Sequence, residues 1–364
     1  MIWSPNKCDD MTRHARGIQR SHEVENGRLQ PPILGWGENV RDGAHPGYDY
    51  CALPQQRMRS EMQALELIKI TVEGLAVRSG LLRAMGRINR HRGLVLAYHN
   101  VLPEGETPVG DLSLHMPVRR FEEHLDALTR TCEIVPLTEL IGSPGRQSGR
   151  PRIAITFDDA YAGTLEAGLP TLRSAALPAT IFVAPGLLGG REFWWDRVLG
   201  DDRDGKRRRH ALWALGGEDH LILEWARAEG LPTPNLPPVF RSATQEALAA
   251  AGSSNLVTLG LHSWTHPNLA TLAPDRVAQE IDAGIAWLRT LQPDTPPMFA
   301  YPYGLRSPSI EHHVQDAGYR FAFRVEGGWL LRKNESPFAL PRYNVPAGLS
   351  ANGLQLRLAG WFCQ

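Results

Sequence analysis

Residues 152–159 read Arg-Ile-Ala-Ile-Thr-Phe-Asp-Asp, an apolar run that ends in two adjacent carboxylates. The β-branched and apolar residues predict a strand that is covered on both faces, as in a parallel sheet. Asp158 and Asp159 need partners if they are buried, because an unpaired charge is costly to remove from water. A strand that carries charged residues at its carboxyl end is typical of an α/β barrel, whose chemistry lies at one mouth.

Three other stretches, far apart in the chain, repeat this change from apolar to polar residues. Residues 93–99 end at His99, residues 256–262 end at His262, and residues 297–304 run into a turn with Pro and Gly. Because the carboxyl ends of parallel strands meet at one edge, we expect these polar residues to lie near Asp158 and Asp159. The four stretches together predict one site.

Helical periodicity separates the predicted strands. Helices are predicted at residues 118–130, 161–176, 275–291 and 307–318, and further strands at residues 179–183 and 319–325. This alternation favours an α/β fold with parallel strands and outer helices.

Metal-binding residue types are concentrated at these strand ends. Asp159, His262 and His266 offer one carboxylate and two imidazoles, and three protein ligands leave an open position, as in catalytic metal sites. Pro267 disfavours a long helix at the two histidines, so we predict a strand-to-loop turn there. The alternative is that they are two unrelated surface histidines. Asp158 points away from Asp159 on a strand and has a different task, either in catalysis or as a helix cap.

Three motifs carry a resemblance to a known family. The sequences T-F-D-D at 156–159, H-S-W-T-H at 262–266 and F-A-Y-P-Y-G at 299–304 resemble the first three motifs of the polysaccharide deacetylases (carbohydrate esterase family 4, the NodB homology domain). The resemblance runs from about Leu94 to about Val345. It implies a distorted (β/α) barrel of the polysaccharide deacetylase type, with parallel strands inside and helices outside.

The resemblance also implies an activity and a set of roles. The expected reaction is metal-dependent removal of acetyl groups from an N-acetylated polysaccharide or oligosaccharide. Asp158 is then the general base, and the backbone N–H of Tyr303 helps to hold the oxyanion. The three metal ligands are Asp159, His262 and His266. Zinc is the first choice of divalent metal, and cobalt, nickel, iron and manganese remain open.

Two departures from the family pattern affect the catalytic assignment. Ala300 stands where many members have an arginine that holds the base, and Arg342 is our candidate to replace it. The family also has a late histidine that protonates the leaving amine, but no histidine follows His313. His99, in a Tyr-His pair that members typically share, is one substitute, with a packed histidine as the alternative. The other candidates for protonating the leaving amine are His312 and water.

These departures keep two further functions open. The first is hydrolysis of an O-acetyl ester or a non-sugar amide on the same fold. The second is a catalytically weak member that binds glycan.

Composition excludes some partners and leaves others open. Lys+Arg and Asp+Glu balance at 39 each, so we expect no nucleic-acid partner. A glycan substrate is what the family resemblance implies. Residues 1–30 contain no apolar core of a signal peptide, and no run of about twenty apolar residues would span a membrane. The default expectation is a cytoplasmic protein.

Residues 61–90 predict an amphipathic helix that either packs on the barrel or contacts a membrane surface. The sequence does not determine the oligomeric state.

The predicted domain organisation has four parts. Residues 1–57 are expected to be a disordered extension, 58–92 an amphipathic helical segment, 93–350 the catalytic domain and 351–364 a C-terminal tail. A helical insertion is predicted at about 190–255. Within it, Trp194 and Trp195 are either core residues or platforms for a sugar ring.

Overall fold

The computed structural model describes residues 73–75, 92–142, 149–200, 202, 204–330 and 336–359. A boundary after Arg57 separates Met1–Arg57 from Met58–Gln364, and every described residue lies in the second unit. The predictions for residues 1–57, and those for 61–90 apart from a helical turn at 73–75, lie outside the described residues. Among the described residues, no helix is long and apolar enough to cross a membrane.

A curled sheet of eight parallel strands forms the centre of the fold. Its strands run in the order β10-β1-β5-β6-β7-β8-β9, and β4 pairs with the start of β5. The strands of this sheet are β1 (Gly93–Tyr98), β4 (Glu133–Ile134), β5 (Arg152–Phe157), β6 (Ala179–Val183), β7 (Val257–Leu261), β8 (Met298–Ala300), β9 (Phe321–Phe323) and β10 (Tyr343–Asn344). A separate parallel pair is formed by β2 (Asn100–Leu102) and β3 (His115–Pro117).

Strand β5 lies in the interior of this sheet. It pairs with β1 along its full length, from Arg152 beside Gly93 to Phe157 beside Tyr98, and with β6 at its carboxyl end. All six β5 residues are buried, as are all six of β1. The apolar sequence of residues 152–157 therefore has its predicted environment, covered on both faces. The prediction of a parallel α/β fold of the barrel type is confirmed.

One short segment connects the two ends of the sheet. Leu340 exchanges backbone hydrogen bonds of 2.9 and 3.0 Å with Ala322 and Arg324, at the end of β9. Three residues later, Tyr343 pairs with Leu96 of β1. The curled sheet is thus bridged by residues 340–344, which place a buried side chain at the carboxyl ends of the central strands.

Helices cover the outside of the sheet. They are α1 (Val118–Thr131), α2 (Leu137–Gly142), α3 (Leu169–Ser174), α4 (Trp194–Val198), α5 (Lys206–Trp213), α6 (Asp219–Ala228), α7 (Gln245–Gly252), α8 (Pro274–Leu291), α9 (Pro308–Asp316) and α10 (Ala351–Leu358). The longest, α8, buries Val277, Ile281, Ile285 and Leu288, which recur at the predicted spacing of three and four.

Two segments have features that the sequence did not predict. The helix predicted at 161–176 runs from residue 162 to Ser174 and contains a π-helical turn at Thr164–Gly168 before α3. Left-handed backbone at Asp159 and Ala160 precedes this helix. The tail predicted at 351–364 contains the helix α10. The Ser350 side chain caps this helix, and its apolar residues pack against the main core.

A glycine sets the distance between α8 and β7. A Cβ atom on Gly284 would lie 2.1 Å from Cδ2 of Leu261, the residue before His262. Helix propensity favours alanine at this position by about 1 kcal/mol, but overpacking a core costs about 1–3 kcal/mol. We therefore predict that Gly284→Ala lowers the free energy of unfolding, measured by denaturant titration.

The matched control for this substitution is Gly142→Ala. Gly142 is exposed, and a Cβ atom there would meet no heavy atom within 4 Å. Gly142 is the last residue of α2, so helix propensity alone is expected to raise the stability of this control, by about 1 kcal/mol at most. Equal stability of the two variants would show that the contact between α8 and β7 is looser than described.

Candidate active site

The predicted site residues meet at the carboxyl ends of the strands. Asp158 and Asp159 follow β5, His262 follows β7, and His99 follows β1. Tyr303 lies in a short turn, Pro302–Gly304, after β8. Arg342 lies in the bridging segment just before β10, and His266 is four residues beyond His262. The common end of the sheet brings together residues that are more than 200 positions apart in the chain.

Arg342 and Asp158 form a buried, bidentate ion pair. The two guanidinium NH groups of Arg342 donate to the two carboxylate oxygens of Asp158, over 2.6 and 2.8 Å. Arg342 also donates to the Thr156 hydroxyl (3.3 Å), and its guanidinium lies 5.1 Å from the ring centroid of Phe182. Ala300 has no guanidinium to offer Asp158, and Arg342 supplies one from another segment of the chain. Its fork fixes the orientation of the carboxylate as well as its charge.

Asp159, His262 and His266 bring three donor atoms together. Nε2 of His266 lies 3.3 Å from Oδ1 of Asp159, Nε2 of His262 lies 3.7 Å from the same oxygen, and all three donor atoms lie within 4.8 Å of one another. Around a tetrahedral zinc ion with bonds of about 2.0–2.1 Å, donor atoms are roughly 3.4 Å apart. The observed spacing is close to that geometry.

Unsatisfied polar atoms show that these residues fit a metal ion. Oδ1 of Asp159 and Nε2 of His266 are buried and have no hydrogen-bond partner among the described residues, although the two atoms lie close together. Buried polar atoms are seldom left without a partner, and a cation between them would satisfy both. One carboxylate and two imidazoles are also a donor set that suits zinc and its neighbours.

The two histidines are held in different ways. Nδ1 of His262 bonds to the Ala300 carbonyl oxygen over 2.7 Å, and this directs Nε2 of His262 towards Asp159. The Ser263 hydroxyl accepts the backbone N–H of His266 over 2.9 Å and closes the turn between the histidines. The pair thus lies on a strand-to-loop turn, as predicted.

Backbone strain is concentrated at this site. Six non-glycine residues in the described chain have a positive φ, and the five at the site are Asp159, Ala160, Ser263, His266 and Tyr303. Such conformations cost about 1–3 kcal/mol each and persist where the surroundings impose them. The strain indicates that these turns hold their side chains in particular positions at a cost in local backbone stability.

The two adjacent carboxylates have opposite electrostatic environments. Burial raises the pKa of Asp158, but the charge of Arg342 and its hydrogen bonds outweigh burial and hold that pKa well below its usual range. Burial and the nearby Asp158 carboxylate raise the pKa of Asp159 well above its usual range. Asp158 is therefore ionised by its own partner, whereas no cation among the described residues pairs with Asp159.

Burial also sets the state of the imidazoles. It lowers the pKa of His262, and it lowers the pKa of His266 well below its usual range, so both rings are neutral and can act as metal ligands. Burial lowers the pKa of His99 to about 4, against the opposing charge of Asp158. Nδ1 of His99 is buried without a hydrogen-bond partner in the described part of the chain.

The other candidates occupy separate positions. His312 is exposed on α9, and its Nδ1 bonds to the Pro308 carbonyl oxygen over 2.7 Å. Tyr303 has a φ of 57°, and its hydroxyl donates to the His266 carbonyl oxygen over 3.2 Å. The Tyr303 ring lies on the ring of His266, with centroids 4.6 Å apart.

The insertion contributes an aromatic wall to the site. Trp194 and Trp195 on α4 are both buried, with exposures of 1% and 3%, so they pack in a core and present no open ring face. Trp195 contacts His266, with ring centroids 4.9 Å apart, and Nε1 of Trp194 donates to the Tyr303 hydroxyl over 3.2 Å. The structure favours core packing for both tryptophans.

Two buried polar residues behind this wall have no role in the sequence analysis. Tyr161 and Asp196 form a hydrogen bond of 2.7 Å, and Asp196 is completely buried. The sequence feature that could have identified Asp196 is its place directly after the aromatic run Phe-Trp-Trp at 193–195. A carboxylate in such apolar surroundings needs partners.

Comparisons with known proteins agree with the fold and its motifs. Residues 145–322 match the family model described as polysaccharide deacetylase. The deacetylase PplD of Streptococcus pyogenes, solved in complex with acetate, is 14% identical with a TM-score of 0.51, over 72% of this chain and 96% of PplD. BC0361, a polysaccharide deacetylase from Bacillus cereus, is 14% identical with a TM-score of 0.52, over 73% of this chain and 69% of BC0361.

A third solved structure and the curated proteins complete the comparison. IcaB from Ammonifex degensii is 20% identical with a TM-score of 0.50, over 74% of this chain and 97% of IcaB. At these identities the structural likeness concerns the fold. No curated protein matches the chain at a significant level. Residues 145–322 of this chain thus match the polysaccharide deacetylase family, and the fold is similar to that of solved polysaccharide deacetylases.

Proposed function

We propose that this protein is a metal-dependent hydrolase that removes acetyl groups from an N-acetylated polysaccharide or oligosaccharide. The observation that carries the proposal is the pairing of two differently held carboxylates at one strand end. Asp158 is ionised by Arg342, and Asp159 faces His262 and His266 with a buried oxygen that has no partner among the described residues. The family match supports deacetylation in general, and the choice of substrate is part of the proposal.

Asp159, His262 and His266 would hold the metal ion. A divalent ion at these three groups, with zinc as first choice, would polarise the acetyl carbonyl and make a water molecule more acidic. The neutral state of both imidazoles and the lack of any other cation at Asp159 in the described structure suit these residues to ligation. Their buried positions exclude bulk water from the ligand atoms.

Asp158 and Tyr303 act on the reacting groups in this proposal. Asp158 takes a proton from the attacking water, whose oxygen forms the new bond to the acetyl carbon. The Arg342 fork keeps the Asp158 carboxylate ionised and correctly oriented before that step. The backbone N–H of Tyr303 donates to the carbonyl oxygen as negative charge develops on it.

His99 passes to the leaving nitrogen the proton that Asp158 took from water. The bond between the carbonyl carbon and the nitrogen breaks, the amine leaves with that proton, and acetic acid remains, which ionises to acetate. His99 lies at the end of β1, beside β5, in the electrostatic field of Asp158, Arg342 and His262. The exposed position of His312, which is bonded to its own helix, favours His99 for this role.

The proposal predicts that Asp158→Asn abolishes turnover but not metal binding. Loss of a general base is expected to lower the rate at least about 100-fold, because the amide cannot accept the proton from water. Acetate release from N-acetylated oligosaccharides is measured with protein stripped of metal and with protein reloaded with zinc, cobalt or manganese. Asp282→Asn, at an exposed residue paired with His313, is the control.

Four outcomes of this assay and of a parallel glycan-binding measurement would contradict the proposal. Turnover that is independent of metal removes the assigned ligands from the reaction, and full activity in Asp158→Asn removes the base. Release of acetate from O-acetylated glycans alone would assign the esterase function. Tight glycan binding without turnover, in both the parent protein and Asp158→Asn, would indicate a binding protein.

Arg342→Met is predicted to move the acid limb of the pH–rate profile. The guanidinium holds the pKa of Asp158 below its usual range, so its removal raises that pKa. As pH falls, Asp158 then takes up its proton earlier, and the acid limb of kcat/KM shifts to higher pH by about one unit or more.

The matched variant for this test is Arg342→Lys, which keeps a positive charge but loses the fork. We expect a smaller shift with a lower kcat. Arg342→Met also leaves Asp158 buried and unpaired, at a cost of about 3–5 kcal/mol, so profiles are recorded well below its melting temperature. Identical acid limbs in all three proteins would contradict the role of Arg342.

His99→Gln is predicted to separate amide from ester hydrolysis. An N-acetyl substrate needs a proton at its leaving nitrogen, and its rate is expected to fall about 100-fold. An aryl acetate has a leaving group that needs no proton, so its rate is expected to fall less than about tenfold. His312→Gln is the control and should resemble the parent protein. Equal losses on both substrates would show that His99 is not the acid.

A further inference from the structure

The starting observation is that His266 lacks the hydrogen bond that usually orients a metal-binding histidine. Such a ring commonly donates its second N–H to a carboxylate or carbonyl oxygen, as His262 does to Ala300. Nδ1 of His266 is buried, and it makes no hydrogen bond to another residue that the structure describes. The orientation of His266 must therefore come from packing.

Three rings surround His266. Ring centroids of His262, Tyr303 and Trp195 lie at 4.5, 4.6 and 4.9 Å from its own. His262 and Tyr303 belong to the site already described, whereas Trp195 comes from the insertion. The ring of Trp195 must be held in place for it to position His266.

A chain of short hydrogen bonds fixes Trp195. Its Nε1 donates to the Tyr161 hydroxyl over 2.7 Å, and that hydroxyl donates to Oδ2 of Asp196 over 2.7 Å. Tyr161 follows the turn that carries Asp158 and Asp159, and Asp196 directly follows Trp195. The chain therefore ties the insertion to the strand end that holds the metal-binding carboxylate.

Three hydrogen-bond partners hold the Asp196 carboxyl group in place. Oδ1 accepts the backbone N–H of Asp111 over 3.0 Å and contacts Nε2 of His115 at 2.8 Å. The Asn100 amide nitrogen donates to the Val239 carbonyl oxygen (3.0 Å) and, over 3.2 Å, to Nδ1 of His115, which orients the His115 ring. With the Tyr161 hydroxyl on Oδ2, both oxygens of Asp196 have partners.

The pocket around Asp196 is tightly built. A Cβ atom on Gly110 would lie 2.7 Å from three atoms of Asp196, so only glycine allows the approach. Asp111, which donates its N–H to Asp196, is itself fixed by an ion pair with Arg208 and by a hydrogen bond of 2.7 Å from the Ser113 hydroxyl. The carboxylate cannot move far from its donors.

We propose that Asp196 is a positioning residue of the metal centre: a buried carboxyl group that, through Tyr161 and Trp195, holds the His266 ring in its ligating orientation. The inference rests on the proposed function, because it concerns the same metal site. It assigns to the insertion a part in metal binding, beyond covering the site.

The test measures metal binding and not turnover. Cobalt(II) is titrated into metal-free protein, and the visible ligand-field spectrum reports the geometry of the ligands while competition with a chelator gives the affinity. Asp196→Asn keeps the volume of the side chain and removes its carboxyl group. We expect about tenfold weaker cobalt binding and an altered spectrum, as for other residues that orient metal ligands.

Two further variants keep the result interpretable. Tyr161→Phe preserves Asp196 and breaks the link to Trp195, and it is expected to alter the cobalt spectrum even if Asp196→Asn does not fold. Glu192→Gln is the matched control. Glu192 also anchors the insertion, through ion pairs of 3.2 Å with Arg197 and Arg241, but it belongs to no chain leading to His266. This control should lower thermal stability without changing cobalt affinity more than about twofold.

The outcomes separate the inference from the proposed function. One outcome is that the parent protein binds cobalt and that His266→Ala no longer does, which supports the metal site. If the folded variants at Asp196 and Tyr161 then keep the affinity and spectrum of the parent protein, the inference is overturned. If Glu192→Gln weakens binding as much as Asp196→Asn, the effect is general destabilisation and the inference also falls. If the parent protein binds no cobalt, both the proposed metal site and the inference fall.

Discussion

The ion pair between Arg342 and Asp158 is the interaction on which the rest of the site depends. Two adjacent carboxylates at a strand end repel each other, and burial penalises both charges. The guanidinium resolves this conflict for Asp158 alone, through two short hydrogen bonds. Asp159 is left with a raised pKa and no paired cation among the described residues. In the proposed mechanism, the same interaction that prepares Asp158 as a base therefore leaves Asp159 for a metal ion.

The parallel sheet makes this division possible. Strand β5 is paired with β1 along its length and delivers both aspartates where the neighbouring strands deliver His99 and His262. The bridging segment 340–344 spans the gap between β9 and β1 and supplies Arg342 from the far end of the chain. Ala300 supplies no cation to Asp158. A guanidinium from the bridging segment can supply it, because the site needs a cation at Asp158, whichever segment of the chain provides it.

The sequence predicted those parts of the fold and site that depend on local patterns. The apolar run 152–157 and the helix at 275–291 are visible as periodicity, and the metal-binding residue types stand in short motifs. The contact of Arg342 with Asp158 spans 184 positions, and only a chemical gap at Ala300 pointed to it. Asp196 could not be assigned from sequence, because its partners come from distant segments that no periodicity connects. The left-handed backbone at Asp159 and Ala160 and the π-helical turn at Thr164–Gly168 correspond to no residue pattern in the sequence.

The most direct test of the account is a crystal structure of the zinc-loaded protein with anomalous scattering recorded at the zinc edge. The account predicts one anomalous peak, bound by Oδ1 of Asp159 and Nε2 of both His262 and His266. The Asp158 carboxylate should remain on the Arg342 fork, outside bonding distance of the ion. A zinc ion bound by both aspartates, with Arg342 displaced, would contradict the division of roles between the two carboxylates.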